Sequence, residues 1–206
     1  MTAYWRLSGL YLFYFAALGA LLPYLALYLD LLDFSAREIG LLLAVQITAR
    51  IVAPNLVAWY SDRSGRRMLT VRLARFAARK LLLWSLALSA LRWLLIAAFA
   101  DKMAALAVAQ LLHLASFGIF HAVSIGLVHR YFPGRLQGRG QALFSSLTFG
   151  AGTALGSAAA GFLWDGFGPS TIWLASAASA GLALVLLAAN RGAKAPLPQH
   201  EAGRRG

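Results

Sequence analysis

Six long apolar stretches occupy most of this 206-residue chain, and they constrain its fold more than any other feature. A helix needs about 20 mainly apolar residues to cross the hydrocarbon core of a bilayer. We therefore predict an all-α polytopic membrane protein with six transmembrane helices. The predicted spans cover residues 7–29, 39–60, 81–100, 103–128, 141–164 and 171–189.

The composition agrees with a membrane protein and argues against a soluble enzyme. Hydrophobic residues make up 60% of the chain and charged residues only 13%, whereas soluble domains carry about 25% charged residues. The seven acidic residues and the absence of cysteine leave little for carboxylate, thiol or iron–sulfur chemistry. We predict that the protein is not an enzyme and that it holds no cofactor and no metal ion.

The distribution of Lys and Arg predicts the orientation of the spans, because cytoplasmic loops are enriched in these residues. With a cytoplasmic N-terminus, most of the 19 basic residues fall on the cytoplasmic side, and most of the seven acids fall on the other. Both termini are then cytoplasmic. The basic residues lie between apolar blocks rather than on one soluble face, so the net charge of +12 does not indicate nucleic-acid binding.

Two segments lie outside the predicted spans. In the cytoplasmic basic loop 61–80, Leu69, Leu73 and Phe76 recur at helical spacing, which predicts a short helix on anionic lipid. A disordered basic connector is the alternative. The tail 191–206 contains prolines, glycines and basic residues, and we predict that it is disordered and cytoplasmic.

Two arginines are predicted at bilayer depth. Arg50 falls near the middle of the second span and Arg92 near the middle of the third, and no Asp or Glu lies inside any of the six spans. A charged side chain at this depth usually faces a cavity, a partner or a substrate. These guanidinium groups must therefore meet backbone carbonyls, water, another subunit or an anionic ligand. Snorkelling of the long side chains toward the headgroups is the alternative.

A polar stripe is predicted on the fourth span. Gln110, His113, Phe117, His121 and Ser124 are spaced three or four residues apart and share one helix face. A histidine titrates near neutral pH, so this face could carry a proton. The alternative is that both histidines only form hydrogen bonds between helices. Three further polar residues, Gln46, Asn55 and Gln141, could either line a polar cavity or form hydrogen bonds between helices.

Small residues at a spacing of four mark the fifth span. Gly152, Gly156 and Ala160 form a ridge that would let a neighbouring backbone approach closely. Because the ridge lies in an apolar span with no preceding strand, we interpret it as a helix-packing surface rather than a dinucleotide-binding loop.

The segment after the second span resembles the cytoplasmic gate motif of the major facilitator superfamily. This motif is Asp62-Arg63-Ser64-Gly65-Arg66-Arg67, and its leading glycine is replaced by Ala58. The N-terminal pattern from Tyr24 to Arg50 resembles the phenylpropionate-permease branch, a relative of the lactose-permease-like proton symporters. In those symporters an arginine and a histidine at the separation of Arg92 and His113 couple transport to protons. Ser116 stands where the coupling carboxylate is expected.

The resemblance implies that this chain lacks helices 3–8 of a twelve-helix transporter, with the join inside 61–80. The six spans then form one half of the superfamily fold, built from 3+3 inverted repeats. It implies a bacterial-type inner-membrane transporter for a small organic or aromatic acid, with a proton as coupling ion. A homodimer would supply the second half, and five aromatic residues would offer ring contacts: Tyr11, Tyr14, Tyr24, Trp93 and Phe117. The alternative is a non-transporting remnant left by the deletion.

Overall fold

The computed structural model describes residues 2–63, 67–132 and 134–189. Seven α-helices are present in these ranges, and no strand is formed there. Their bounds are α1 Thr2–Asp30, α2 Ala36–Arg63, α3 Arg67–Phe99, α4 Met103–Tyr131, α5 Gln137–Ser145, α6 Thr153–Phe167 and α7 Thr171–Ala189. A 3₁₀ turn, Gly134–Leu136, precedes α5, and a π-helical segment, Ser146–Gly152, joins α5 to α6.

Helices α5 and α6 form one continuous rod with the π-helical segment between them. Ser145, Ser146, Gly152 and Thr153 all keep right-handed helical dihedral angles, so the chain does not break at either junction. The hydroxyl of Thr148 donates a hydrogen bond to the Phe144 carbonyl, which is the acceptor that the Thr148 N–H would use in an α-helix. No pattern in the sequence predicts this local widening of the fifth span.

Among the described residues, four helices are long and apolar enough to cross a membrane, which agrees with a polytopic membrane protein. These segments are Tyr11–Asp30, Ala78–Phe99, Met103–Val128 and Thr171–Ala189. The predicted second and fifth spans are helical within the described part of the chain, but they are not among these four. Six spans therefore remain a prediction, while the all-helical membrane fold is observed.

The segment predicted as a basic loop is largely helical. Helix α2 continues to Arg63, and α3 begins at Arg67 and runs without interruption to Phe99. The predicted short helix over 69–79 is thus the N-terminal part of a 33-residue helix rather than a separate element. At 1.5 Å per residue, this helix is about 50 Å long and extends well beyond a bilayer core.

The helix contacts show an internal two-fold pattern. Helix α1 packs on α6 and α7, α4 packs on α2 and α3, and α3 also packs on α7. We count α5, the π-helical segment and α6 as one rod, so the described part of the chain has six rods. Exchanging the first three rods with the last three, so that α1 takes the place of α4, gives the same set of contacting pairs. Because α1 and α4 run in opposite directions through an alternating bundle, this is the pairing that 3+3 inverted repeats produce.

A defined turn joins α1 to α2. Asp33 adopts a positive φ of 62°, and the N–H of Phe34 donates to the Leu29 carbonyl in a Schellman motif that ends α1. Ser35 and Glu38 then form a capping box that starts α2. The Glu38 carboxylate accepts hydrogen bonds from the hydroxyl and the N–H of Ser35, at 2.7 and 2.9 Å.

Candidate functional site

Arg92 belongs to a buried polar face of α3. The Arg92 side chain is only 1% exposed, and Ser85 and Ser89 are buried on the same face of the helix. The guanidinium carbon lies 3.8 Å from the ring centroid of Trp93. Arg92 therefore lies inside the bundle, and the predicted alternative of snorkelling does not describe its position.

Helix α4 supplies the facing polar stripe. Gln110, His113, Phe117 and Ser124 are buried as predicted for one helix face, and His121 is half-buried. The rings of His113 and Phe117 have centroids 5.4 Å apart, and Phe117 stacks on His121 at 5.5 Å and 8°. The rings of His113, Phe117 and His121 therefore form a contiguous row along α4.

Helix geometry places polar residues of three helices at similar depths. Arg92 lies nine residues before Asp101, at the turn between α3 and α4, and Gln110 lies nine residues after it. Gln46 and His113 each lie ten residues after the first residue of α2 and α4, and these two helices pack together. Because all four side chains are buried, they form a polar layer within the bundle. We call Gln46, Arg92, Gln110 and His113 the polar layer.

Several buried amides have unused hydrogen-bonding capacity. Both amide atoms of Gln110 and the Nε2 atom of Gln46 are buried and have no hydrogen-bond partner among the described residues. The Oε1 atom of Gln141 and the Nδ1 atom of His121 are in the same situation within that part of the chain. Buried polar groups are normally satisfied, so these atoms indicate a demand for hydrogen bonds that a ligand or water could meet.

Other predicted site residues lie away from the polar layer or outside the described part. Gln141 is half-buried at the start of the fifth rod, and Asn55 is exposed and donates to the Ile51 carbonyl. The Arg50 backbone lies in α2, but its side chain is outside the described part of the structure. Tyr11 and Tyr14 pack on Phe120 in an aromatic cluster on α1 and α4, with ring centroids 5.0 and 3.9 Å away.

The predicted gate motif is only partly described. Arg63 is exposed, and its guanidinium carbon lies 5.2 Å from the ring centroid of Trp59. Ser64, Gly65 and Arg66 lie outside the described residues, as do the side chains of Asp62 and Arg67. The structure therefore assigns no contact between the charged groups of this motif.

The predicted small-residue ridge faces α1. A Cβ atom at Gly156 would overlap the carbonyl of Ala16, and one at Gly152 would lie 3.0 Å from the Cβ of Phe15. Ala160 is also buried. Across the same contact, a Cβ at Gly19 would overlap the backbone of Thr153. Glycine on both helices thus allows the backbones of α1 and α6 to touch.

The sequence matches the MFS_1 like family over residues 4–78 and 71–175, which together cover most of the chain. The chain belongs to the MFS_1 like family. No curated protein matches the sequence.

Membership of the MFS_1 like family makes this a major-facilitator-type membrane protein, and it points to transport rather than catalysis. Both matched ranges contribute to the polar layer, since Gln46 lies in the first range and Arg92, Gln110 and His113 lie in the second. Within the described residues, no group of His, Asp and Glu could hold a metal ion.

One large buried residue next to the polar layer, Trp173, is not predicted by the sequence. Trp173 on α7 is fully buried and stacks on Trp93, with ring centroids 5.8 Å apart and an interplanar angle of 13°. Helix α7 is apolar on all sides, so no periodicity identified which of its faces is buried. A tryptophan near the end of a span is also typical of a membrane interface, so its position predicts an interfacial side chain rather than a buried one.

Proposed function

We propose that this protein is a secondary active transporter for a small organic acid, with Arg92 as the residue that attracts the carboxylate. The main support for this proposal is that the Arg92 guanidinium is buried in a segment apolar enough to cross a membrane. A guanidinium can bind a carboxylate with two parallel hydrogen bonds, and the Gln110 amide, at a similar depth, offers further hydrogen-bonding capacity. Trp93 and Phe117, both buried, favour an acid that carries an aromatic ring.

Proton coupling through His113 is the second part of the proposal. His113 is fully buried on the face of α4 that also carries Gln110 and Ser116. Uptake of a carboxylate with a proton would avoid moving net charge into the polar layer. An imidazole is the side chain best suited to take up and release a proton near neutral pH.

A second copy of the chain would complete the transport pathway. Alternating access requires two bundles that rock about a central site, and one chain supplies one bundle. Helix α2 supports this arrangement because its described side chains are mostly exposed, apart from a narrow stripe that includes Leu42 and Gln46. Thr48 and Asn55 are on the exposed part, where a facing bundle or water would suit them better than lipid.

We further propose that the half-length chain arose by loss of an internal segment. The two ranges that match the family overlap at residues 71–78, inside the segment 61–80 where the sequence predicts the join. Loss of an even number of spans would leave the orientation of the remaining helices unchanged. The continuous helix α3 then fuses a former loop to a former span.

Uptake into proteoliposomes tests the function. We expect 3-phenylpropionate or benzoate to accumulate when an inward proton gradient is imposed, and Arg92→Gln to lower uptake at least tenfold. Arg135→Gln is the matched control, since Arg135 is exposed in the turn before α5 and should retain uptake. No gradient-driven uptake by the wild-type protein, together with a strictly monomeric state in mild detergent, would favour the non-transporting remnant.

A further inference from the structure

The interface between α3 and α7 contains hydrogen-bond donors for which the described part of the chain provides no acceptor. The indole rings of Trp93 and Trp173 are both 0% exposed, and both Nε1 atoms lack a hydrogen-bond partner among the described residues. An indole N–H can only donate. Two such donors buried together leave a demand for an acceptor that the surrounding described side chains do not meet.

These donors lie beside a positive charge. The stacked rings place both indoles in one interface, and the Arg92 guanidinium lies against the ring of Trp93. On α4, the Gln110 Nε2 is another buried donor without a described partner, at the depth of Arg92. No Asp or Glu is present in residues 81–100, 103–128 or 171–189, which contain these side chains. The local set therefore consists mainly of N–H donors and one permanent cation, with the Gln110 Oε1 as an uncharged acceptor.

We infer that Trp93 and Trp173 bind a small monoanion, a halide or a carboxylate, at the α3–α7 interface next to Arg92. An anion accepts from several N–H donors at once and offsets the charge of a guanidinium in a medium of low dielectric constant, which water does not. This inference rests on the proposed function in one respect, since it adds two tryptophans to the residues that recognise the anionic group of the transported acid.

The indole N–H protons themselves report the binding. The protein contains six tryptophans, so its spectrum of 15N-labelled indoles is simple enough to assign by single Trp→Phe variants. Bromide is titrated against gluconate at constant ionic strength, with purified wild-type protein in detergent. We expect the Trp93 and Trp173 signals to shift with saturation, and the Trp84 signal to stay unchanged because that side chain is 66% exposed.

Trp→Phe variants remove the donor and keep an aromatic ring. Trp173→Phe should weaken the apparent bromide affinity, read on the Trp93 signal, roughly tenfold, which is the effect of one lost hydrogen bond to a charged group. Trp84→Phe is the control and should leave the affinity unchanged. If Trp173→Phe does not fold, Trp93→Phe with the readout on the Trp173 signal replaces it. The titration of the wild-type protein tests anion binding without any variant.

The second arm identifies the source of the anion. Benzoate that competes with bromide at the same two signals indicates the carboxylate of the transported acid, whereas a response to bromide alone indicates an inorganic anion. Absence of a saturable shift with either anion, as expected if water satisfies the indoles, overturns the inference. The binding experiment applies no proton gradient. A failure of anion binding can therefore be distinguished from a failure of transport.

Discussion

Ser157 on α6 donates a 2.7 Å hydrogen bond to the carbonyl oxygen of Gly19 on α1. That carbonyl would accept from the backbone N–H four residues later in a regular helix, but residue 23 is a proline inside α1 and has no N–H. A side chain of a neighbouring helix therefore supplies the donor that the proline removes. In hydrocarbon such replacement is what makes a proline tolerable within a helix.

Ser157→Ala should destabilise the folded bundle by about 1 kcal/mol, because it leaves the Gly19 carbonyl without a donor. The free energy of unfolding in bicelles or mixed micelles measures the change. In a Pro23→Ala background, the restored N–H of residue 23 can satisfy Gly19, so the same substitution should cost much less.

Ser179→Ala is the matched control for this prediction. The Ser179 hydroxyl is also half-buried and donates to the Phe13 carbonyl at 2.9 Å, but no proline removes the helical donor of that carbonyl. Its loss should therefore cost less than the loss of Ser157. Equal costs for Ser157→Ala with and without Pro23 would refute the proposed compensation.

Gly156→Ala should destabilise the protein by about 1–3 kcal/mol, since the added methyl group would overlap the Ala16 carbonyl and push α1 and α6 apart. Thermal unfolding in detergent measures this effect. Gly126→Ala is the control because a Cβ at that helical position meets nothing within 4 Å, so it should be neutral or stabilising. A wild-type-like Gly156→Ala protein would contradict the close backbone contact.

Arg79→Gln should loosen the last turn of α7. The Nη2 atom of Arg79 donates to the carbonyls of Leu187 and Ala188, at 3.2 and 2.8 Å, and its positive charge suits the C-terminal end of a helix. We expect faster hydrogen exchange of the amides near residue 187, measured by mass spectrometry. The neighbouring Lys80 is exposed, and Lys80→Gln should leave that exchange unchanged.

The capping box at the start of α2 should depend on pH. Hydrogen bonds from the Ser35 hydroxyl and from its backbone N–H hold the pKa of the Glu38 carboxyl below its ordinary value of 4.5. A lowered pKa in the folded state means that the box stabilises α2 fully above that ordinary value. This contribution is lost as the pH falls through the lowered pKa.

Carboxyl carbon NMR of Glu38 measures this shift. In Ser35→Ala the Glu38 pKa should rise toward 4.5, because the side-chain hydrogen bond is its largest cause. Arg37→Ala, at an exposed neighbouring position, should leave it lowered. An unchanged Glu38 pKa in Ser35→Ala would contradict the assigned origin.

The sequence by itself determined the fold class and several details of the site. Long apolar runs can only satisfy their backbone in a bilayer as helices, so the all-α membrane fold follows from hydropathy. Spacing along α4 placed Gln110 and His113 on one buried face, because helical periodicity fixes which residues share a side. The Gly65-containing motif also indicated a major-facilitator-type protein, which the family match shows. The phenylpropionate-permease branch suggested by the N-terminal pattern stays a prediction.

Only the tertiary structure decided which side chains meet across helices. A span that is apolar on every face carries no signal for its partner, so the stacking of Trp93 on Trp173 depends on how α3 and α7 pack. The same holds for Ser157 and Gly19, which are 138 residues apart in sequence. Local patterns fix what each helix presents, whereas contacts between helices depend on packing between segments that are remote in the chain.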